Sequence, residues 1–211
     1  AAKWQVNDVF AFRGSAQTSF RGPTLNQLSG TVTTLQFVAP TSAFKAVDQF
    51  GNPNLDPESA FSFNLGALFE NDGFSASIDY YNFDFTDPII VEEQSSIVAA
   101  SIAALGTATT DDDGILGRIS FTDNDGNGIN TSDEISRIAT NVVNGPDIET
   151  SGFDLRVQNI WDIGYNEFSL GLDATYVIEY DVADFAIEDA VIPGGDRVDQ
   201  FNRSNFSRSL P

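Results

Sequence analysis

The segment Phe168–Tyr180, FSLGLDATYVIEY, alternates in polarity with a period of two. Its even positions are all apolar or aromatic, and its odd positions are mostly small, polar or acidic. A period of two indicates a strand, because successive side chains point to opposite faces. The segment is long for a strand of a soluble domain and long enough to cross a bilayer at a tilt. An apolar outer face, a polar inner face and aromatic ends are typical of a transmembrane β-barrel strand.

Other segments repeat this alternation and predict further strands. They are Val9–Phe20, Ala60–Phe69, Phe74–Phe85, a strand that begins with Gly152–Val157, and Phe201–Leu210 as the start of a sixth strand. The pattern places these side chains on the lipid face: Phe63, Leu65, Ile78, Phe153, Leu155, Leu170, Leu172 and Ala174. It places these charged side chains inside: Arg13, Asp79, Asp154, Arg156, Asp173 and Glu179. We expect the aromatics Tyr80, Tyr81, Phe83, Phe85, Tyr176 and Tyr180 to form an interfacial girdle, and the alternative is a sugar-stacking role for some loop aromatics.

The connections between these strands alternate long and short. Short turns are expected at Glu70–Gly73 and around Asp162-Ile163-Gly164, whereas 86–148 and the Gly/Pro/Asn-rich stretch before Pro57 are long. Sorting by length is typical of outer-membrane barrels, and a soluble β-sandwich, the alternative, would not show it. We therefore predict an all-β fold: an antiparallel transmembrane β-barrel segment with long extracellular loops that carry short helices. Ser95–Leu105, with Gly106 as its C-cap, is predicted to be one such helix.

Composition excludes several classes of function. The net charge is −21, which argues against a nucleic-acid partner because phosphate contacts need Lys and Arg. There is no cysteine and no histidine, so disulfides, thiolate metal sites and histidine-based catalysis are excluded. The adjacent acids Glu92 and Glu93 offer paired carboxylates, but they stand in a loop without further signs of glycosidase chemistry. We expect no enzymatic activity.

The loop 123–134, DNDGNGINTSDE, fits the calcium pattern D-x-D-x-N-G-x5-E. The predicted ligands are Asp123, Asp125, Asn127, the backbone carbonyl of Ile129, Thr131 through a water, and a bidentate Glu134. Gly128 takes the sharp turn at the sixth position. Such a cage of hard oxygen ligands suits Ca²⁺ as the bound ion.

Two alternatives to this calcium site stay open. The loop could be a solvated Asn/Gly/Asp-rich turn, and the run Asp111-Asp112-Asp113 is more simply solvated charge than a source of ligands. The apolar residue lies at the seventh position rather than the eighth, so the loop is more similar to thrombospondin type 3 repeats than to an EF-hand. A short exit helix is expected over Ser132–Ile138.

Several segments resemble TonB-dependent outer-membrane receptors. Phe20–Leu28 resembles their "FRAPSLNELY" stretch, Asn52–Glu58 their "NPDLKPE" segment and Ser77–Ile89 their "SLDYYRIDIKDAI" strand. Asn144-Gly145 with Glu149–Asp154 is similar to "N.G..ETKGVDL", and Asn205–Pro211 to "NFARSLP". Each piece is weak alone, but five in family order cover most of the chain outside the 90–140 insertion.

The resemblance implies that 1–211 is part of a barrel of roughly 22 strands, with 86–148 as an extracellular insertion. The family's plug domain and TonB box are not seen in this sequence. The implied function is TonB-dependent uptake of a scarce solute, such as a siderophore, oligosaccharide or peptide, across the outer membrane of a Gram-negative cell. The implied partners are outer-membrane lipid, the TonB complex through the plug, the solute, and a surface lipoprotein. The alternative is a soluble or surface-attached calcium-stabilised β-protein used for adhesion or binding.

Overall fold

The computed structural model describes residues 1–105 and 114–198. Its strands are β1 Ala2–Gln5, β2 Phe10–Arg21, β3 Thr31–Val38, β4 Ala43–Phe50, β5 Glu58–Asn71, β6 Phe74–Thr86, β7 Ile89–Val91, β8 Ile119–Phe121, β9 Ile135–Asn144, β10 Ile148–Ile163, β11 Asn166–Val182, β12 Phe185–Ile187, β13 Ala190–Ile192 and β14 Gly195–Asp196. Its α-helices are α1 Leu25–Ser29 and α2 Gln94–Ala104, and its 3-10 turns are Ala39–Thr41, Gly114–Arg118 and Ser132–Glu134.

A seven-stranded antiparallel sheet dominates the molecule, and we call it the wall. Its order is β1-β2-β5-β6-β10-β11-β14, so long strands that follow one another in the chain are also neighbours in the sheet. The all-β antiparallel prediction is thereby confirmed. The five predicted long strands all form, and each extends to within a few residues of its expected bounds or beyond them. The predicted strand Phe201–Leu210 and the resemblance at Asn205–Pro211 lie outside the described residues.

Tight turns join the wall strands at one end. Asp72 and Gly73, between β5 and β6, both have positive φ, at 41° and 83°, as a two-residue hairpin turn requires. Gly164, with φ 66°, begins the turn between β10 and β11. The long connections 22–57, 87–147 and 183–194 all leave from the opposite end, which we call the long-loop end. The predicted sorting of connections by length is therefore present in the fold.

The long connections fold together into a unit that we call the loop domain, formed by the described residues of 22–57, 87–147 and 183–194. Its main sheet has the order β3-β4-β9-β7, with β8 also paired to β9. β4 and β9 run parallel, which joins the first long connection to the second. The stretch before Pro57 is therefore not the plain loop that its composition predicted, because it carries the β3–β4 hairpin.

The hydrophobic core lies in the loop domain. Side chains from all three long connections, among them Val47, Ile97, Ile138 and Ile187, pack in one buried cluster. Among the described residues, Ala11 is the only buried apolar side chain that belongs to the wall. Each fully buried Val or Ile side chain contributes about 1.5–3 kcal/mol. Within 1–105 and 114–198, by contrast, no apolar core cluster packs against either face of the wall.

The helices differ in detail from the prediction. α2 forms at 94–104 close to its predicted bounds, and Glu93 caps its first turn by accepting from the Ser96 N–H at 2.6 Å. The predicted C-cap Gly106 lies outside the described residues. The predicted exit helix over Ser132–Ile138 is wrong: a 3-10 turn ends at Glu134, and the chain enters β9 because its alternating apolar side chains are buried against the sheet. No helix among the described residues is long and apolar enough to cross a membrane.

Candidate functional site

The strand register separates the wall into two faces. Across the strands, one row reads Phe12, Ala67, Ile78, Leu155 and Ala174, and the adjacent row reads Arg13, Gly66, Asp79, Asp154 and Thr175. We call the first the apolar face and the second the polar face. The register places these residues, predicted to face lipid, on the apolar face: Phe63, Leu65, Ile78, Phe153, Leu155, Leu170, Leu172 and Ala174. Apart from Phe63, which is half-buried, their larger side chains are 37–62% exposed, as expected of a surface that meets something other than this chain.

An ion pair crosses three strands of the polar face. Arg13 on β2 reaches over β5 to Asp79 on β6, and its Nε donates to Asp79 Oδ1 at 2.6 Å. A second guanidinium nitrogen contacts the other carboxylate oxygen. The strand between them carries Gly66, where an added β-carbon would overlap the Asp79 carboxylate. Glycine is therefore required here because the ion pair occupies the space of a side chain.

The remaining charges of the polar face are more exposed. Arg156 Nε donates to Asp173 Oδ1 at 2.6 Å, and both side chains are mostly open to solvent. Asp154 accepts a hydrogen bond of 2.6 Å from the Thr175 hydroxyl. Within 1–105 and 114–198, no cationic side chain pairs with Asp154. The predicted inward residues Arg13, Asp79, Asp154, Arg156 and Asp173 thus do share one face.

Three aromatic side chains of β6 lie on this polar face, although they were predicted to belong to an interfacial girdle. Tyr81, Phe83 and Phe85 occupy alternate positions that continue the face of Asp79. Their ring centroids are 5.8 Å apart for the first pair and 6.2 Å for the second, and we call the three rings the aromatic ladder. The girdle prediction is wrong for these residues. The prediction assumed that aromatic side chains face lipid. Strict alternation from Asp79, however, places residues 81, 83 and 85 on the inner, polar face.

A β-bulge corrects two further predictions. The register between β10 and β11 shifts between Ser151 and Gly152, so that Ile178 is left without an opposite residue. Beyond the bulge, Tyr180 pairs with Thr150, in the row of Phe83, and so lies on the polar face. Glu179 pairs with Ser151 on the other face, although it was predicted to point inward. A one-residue shift exchanges the faces of all residues that follow it, and nothing in the local pattern marks this position.

Two concave regions adjoin the polar face. A hollow of about 450 Å³ lies against the wall, bordered by Ser62, Asn64, Tyr81, Phe83 and Asp154 among others. A larger cavity of about 790 Å³ lies between the loop domain and the long-loop end of the wall. Its lining combines apolar side chains with amides, hydroxyls and the charged residues Glu92, Glu93 and Arg197, and Tyr180 belongs to it. The bulge therefore contributes a phenol to this cavity.

A buried ion pair organises the loop domain beside the larger cavity. Arg118, which ends a 3-10 turn, pairs with Glu92 between β7 and α2, and their side chains are only 11% and 5% exposed. Glu92 also accepts from the Asn141 N–H at 2.7 Å, and Arg118 bonds Glu188 at 3.0 Å. Glu92 is therefore a structural anchor that ties three segments together, and the paired-carboxylate chemistry of a glycosidase has no support here.

A second carboxylate stabilises the contact between the two long connections. Asp48 on β4 accepts hydrogen bonds of 2.6 Å from Arg137 on β9 and of 2.5 Å from the Thr33 hydroxyl. These bonds, first from Arg137 and then from Thr33, lower the pKa of Asp48 below its ordinary value. The stabilisation is therefore present above the unfolded-state pKa and is lost as the pH falls through the lowered value.

The loop 123–134 closes the hairpin between β8 and β9. Carboxylate oxygens of Asp123, Asp125 and Glu134 lie within 4.8 Å of one another. Asp123 accepts from the N–H groups of Gly126 and Gly128, and these bonds lower its pKa. Gly126 and Gly128 both have φ 73°, so the sharp turn predicted at Gly128 is present.

The other predicted ligands have definite partners in the same loop. Asn127 Oδ1 accepts from the Ile129 N–H at 2.6 Å, and Thr131 donates to Glu134 Oε2 at 3.0 Å from both its N–H and its hydroxyl. Glu134 is buried, and its other oxygen accepts from the Asn124 N–H at 3.0 Å. The loop thus brings three of the predicted ligands together. The Asp111–Asp113 run lies outside the described residues.

Several solved structures are similar to this chain. The siderophore receptor PirA from Pseudomonas aeruginosa matches with a TM-score of 0.52 at 16% identity, over 87% of this chain and 29% of that chain. PirA from Acinetobacter baumannii matches with a TM-score of 0.47 at 18% identity, over 89% of this chain and 26% of that one. A mutant of the ferric enterobactin receptor PfeA from Pseudomonas aeruginosa, in complex with enterobactin, gives 0.48 at 14%, over 82% and 21%. At these identities the likeness concerns the fold alone. The chain spans less than a third of the length of each receptor.

Sequence comparison supplies the family. No protein with a curated description matches the sequence. The family described as "TonB dependent receptor-like, beta-barrel" matches residues 1–210, nearly the whole chain. Proteins of this family reside in the Gram-negative outer membrane and are transporters rather than enzymes. The wall, its two faces and its long-loop end agree with that assignment, and the chain therefore belongs to the TonB-dependent receptor β-barrel family.

Proposed function

We propose that this chain forms part of the barrel of an outer-membrane active transporter that takes up a scarce solute. The family match over 1–210 carries this proposal. The wall supports it, because its apolar face exposes side chains such as Leu170 and Leu172 that a soluble sheet would cover. Opposite them, the polar face supplies a hydrated lining. The same exposed apolar face argues against the alternative, a soluble adhesion protein, because such a face is unfavourable in water.

The long-loop end is the extracellular end in this proposal, with the loop domain as the part that meets the solute first. The apolar face contacts membrane lipid, and the polar face borders the transport path. Energy comes from TonB through a plug domain that lies in another part of the receptor. The solute is a siderophore, an oligosaccharide or a peptide. A surface lipoprotein partner stays a prediction.

Uptake by intact cells tests this function. Cells that carry the full-length receptor, cells that lack it and cells that lack TonB are compared for accumulation of labelled ferric enterobactin, neutral malto-oligosaccharides and a mixed tripeptide library. We expect at least one class to accumulate only when both the receptor and TonB are present. Equal accumulation of every class in all three strains would contradict active transport.

We also propose that the loop 123–134 binds one Ca²⁺ ion through Asp123, Asp125, Asn127, the Ile129 carbonyl, Thr131 and Glu134. The spacing of the oxygen ligands supports this, as do the converging carboxylates of Asp123, Asp125 and Glu134. The expected dissociation constant is that of extracellular modules, about 10⁻⁴–10⁻³ M. Binding at millimolar Ca²⁺ would stabilise the loop by on the order of 1 kcal/mol, which is a local effect.

Removal of calcium tests the metal site. In the full-length receptor, EGTA should accelerate proteolytic cleavage in 119–138. The Asp125→Ala variant should be cleaved rapidly in this segment with or without Ca²⁺. Asp133→Ala is the matched control, because this exposed carboxylate of the same loop is not among the converging three. Identical cleavage with Ca²⁺ and with EGTA would contradict the metal site and support the alternative that the loop is a solvated turn.

A further inference from the structure

We infer that the aromatic ladder and the hollow beside it form a binding track for a neutral oligosaccharide. The inference rests on the proposed transport function and names the class of solute that the wall accommodates. Its central residues are Tyr81, Phe83 and Phe85 on β6, with Asp154 on β10. All four lie on the polar face.

The rings of the ladder lie outside the buried core of the loop domain. Phe83 and Phe85 are 36% and 39% exposed, and they lie on a face that also carries hydroxyls, amides and charged groups. Phe83 and Phe85 are nearly parallel, with an interplanar angle of 15°. Exposed aromatic rings at regular intervals on a polar surface offer flat apolar platforms. The ring faces of successive sugar units provide the matching flat surfaces.

Polar groups accompany the platforms. The hollow of about 450 Å³ beside Tyr81 and Phe83 is bordered by Ser62, Asn64 and Asp154. Ser15 donates to Asn64 Oδ1 at 2.9 Å, and the Asn64 side chain also has an NH₂ group that can donate. The carboxylate of Asp154 accepts from Thr175 and has further lone pairs. Sugar hydroxyls, which donate and accept, satisfy both kinds of group.

The charges of the wall oppose an anionic solute. Arg13, Arg21 and Arg156, the three arginines of the polar face, are each paired with a carboxylate. Asp154 has no cationic partner among the described residues, so the local charge beside the ladder is negative. The whole chain adds a net charge of −21. An anionic ferric chelate would meet repulsion here, whereas a neutral ligand with many hydroxyls would not.

The track continues into the larger cavity. Phe83 lies in the same row as Thr150 and Tyr180, and the bulge turns Tyr180 into the cavity of about 790 Å³. There the polar lining includes the amides of Gln36, Gln49 and Gln94. These groups are neutral donors and acceptors, like those of the hollow. Both regions therefore offer neutral donors and acceptors, and the cavity also carries the charged side chains of Glu92, Glu93 and Arg197.

Direct binding to the full-length receptor in detergent tests the track. The probe is an array of immobilised neutral and sialylated oligosaccharides, followed by titration with the best soluble neutral oligosaccharide. We expect neutral oligosaccharides to bind in preference to the sialylated ones. Phe83→Ala and Tyr81→Ala should each weaken binding by about tenfold, as the loss of one stacking platform predicts.

Tyr80→Ala is the matched control, because Tyr80 is the next residue of β6 but lies on the apolar face. It should bind as the wild type does. Failure of every oligosaccharide to bind, equal affinity of Phe83→Ala and wild type, or displacement of the oligosaccharide by a cationic tripeptide at lower concentration would overturn the inference. A different result would separate the inference from the transport function. If ferric enterobactin is taken up in a TonB-dependent way and Phe83→Ala does not change this uptake, the oligosaccharide track is refuted but the transport function is supported.

Discussion

Adjacent residues of β11 face two different environments. Leu172 is 57% exposed on the apolar face near the middle of the strand, and Asp173 lies beside it on the polar face, paired with Arg156. Leu172→Arg should destabilise the receptor in membranes by about 2–4 kcal/mol, because the charge enters the hydrocarbon. Asp173→Asn should cost less than about 1 kcal/mol, since an exposed pair contributes little. Urea titration of both variants in lipid vesicles measures the difference, and equal costs would contradict the assignment of the two faces.

Gly66 leaves the space in which Arg13 and Asp79 form their ion pair. Gly66→Ala should destabilise the wall by about 1–3 kcal/mol, because the new β-carbon displaces Asp79 from Arg13 and leaves a mostly buried carboxylate without its partner. Gly171 is the matched control on the same face, where an added β-carbon would meet only Val157 O at an ordinary 3.8 Å. The same denaturation assay applies. A Gly171→Ala variant as unstable as Gly66→Ala would show that strand glycines, and not this ion pair, are responsible.

At the scale of elements, the loop domain depends on a few buried links between separate connections. Arg118→Met should release the 3-10 turn from Glu92 and leave a buried carboxylate unpaired, at a cost of about 3–5 kcal/mol. Since that cost falls on the loop domain, protease should cleave the loop domain while the wall stays protected in detergent. Arg156→Met removes the exposed pair with Asp173 and should leave the cleavage pattern unchanged. Cleavage of the wall in Arg118→Met would mean that the two units unfold together.

At the scale of the whole molecule, the wall is an open sheet. Within the described residues its edges are β1 and β14, and neither pairs with a further strand. Open edges are not stable in lipid, where each unpaired backbone group costs several kcal/mol. Residues 1–211 expressed alone should therefore aggregate without detergent, even though the loop domain has its own core. A monomeric product that melts cooperatively in buffer would contradict this.

The sequence by itself determined the wall. Period-two alternation in segments such as Phe74–Phe85 depends only on local geometry, so strand positions, the two faces and the short turns could be predicted from residues alone. The carboxylate spacing in 123–134 likewise predicted that Asp123, Asp125 and Glu134 lie close together, whereas the bound ion stays a prediction. Where the prediction failed at Phe83 and Phe85, the alternation was correct and the assumption that aromatics face lipid was wrong.

Only the tertiary structure decided the rest. The parallel pairing of β4 with β9 and the contact between Arg118 and Glu92 join residues far apart in the chain, and no local pattern encodes such partners. The bulge at Ile178 exchanges the faces of Glu179 and Tyr180 because strand register is set by the neighbouring strand as much as by the strand itself. Alternation is a property of one segment, whereas register and loop packing are properties of several segments that must fit together.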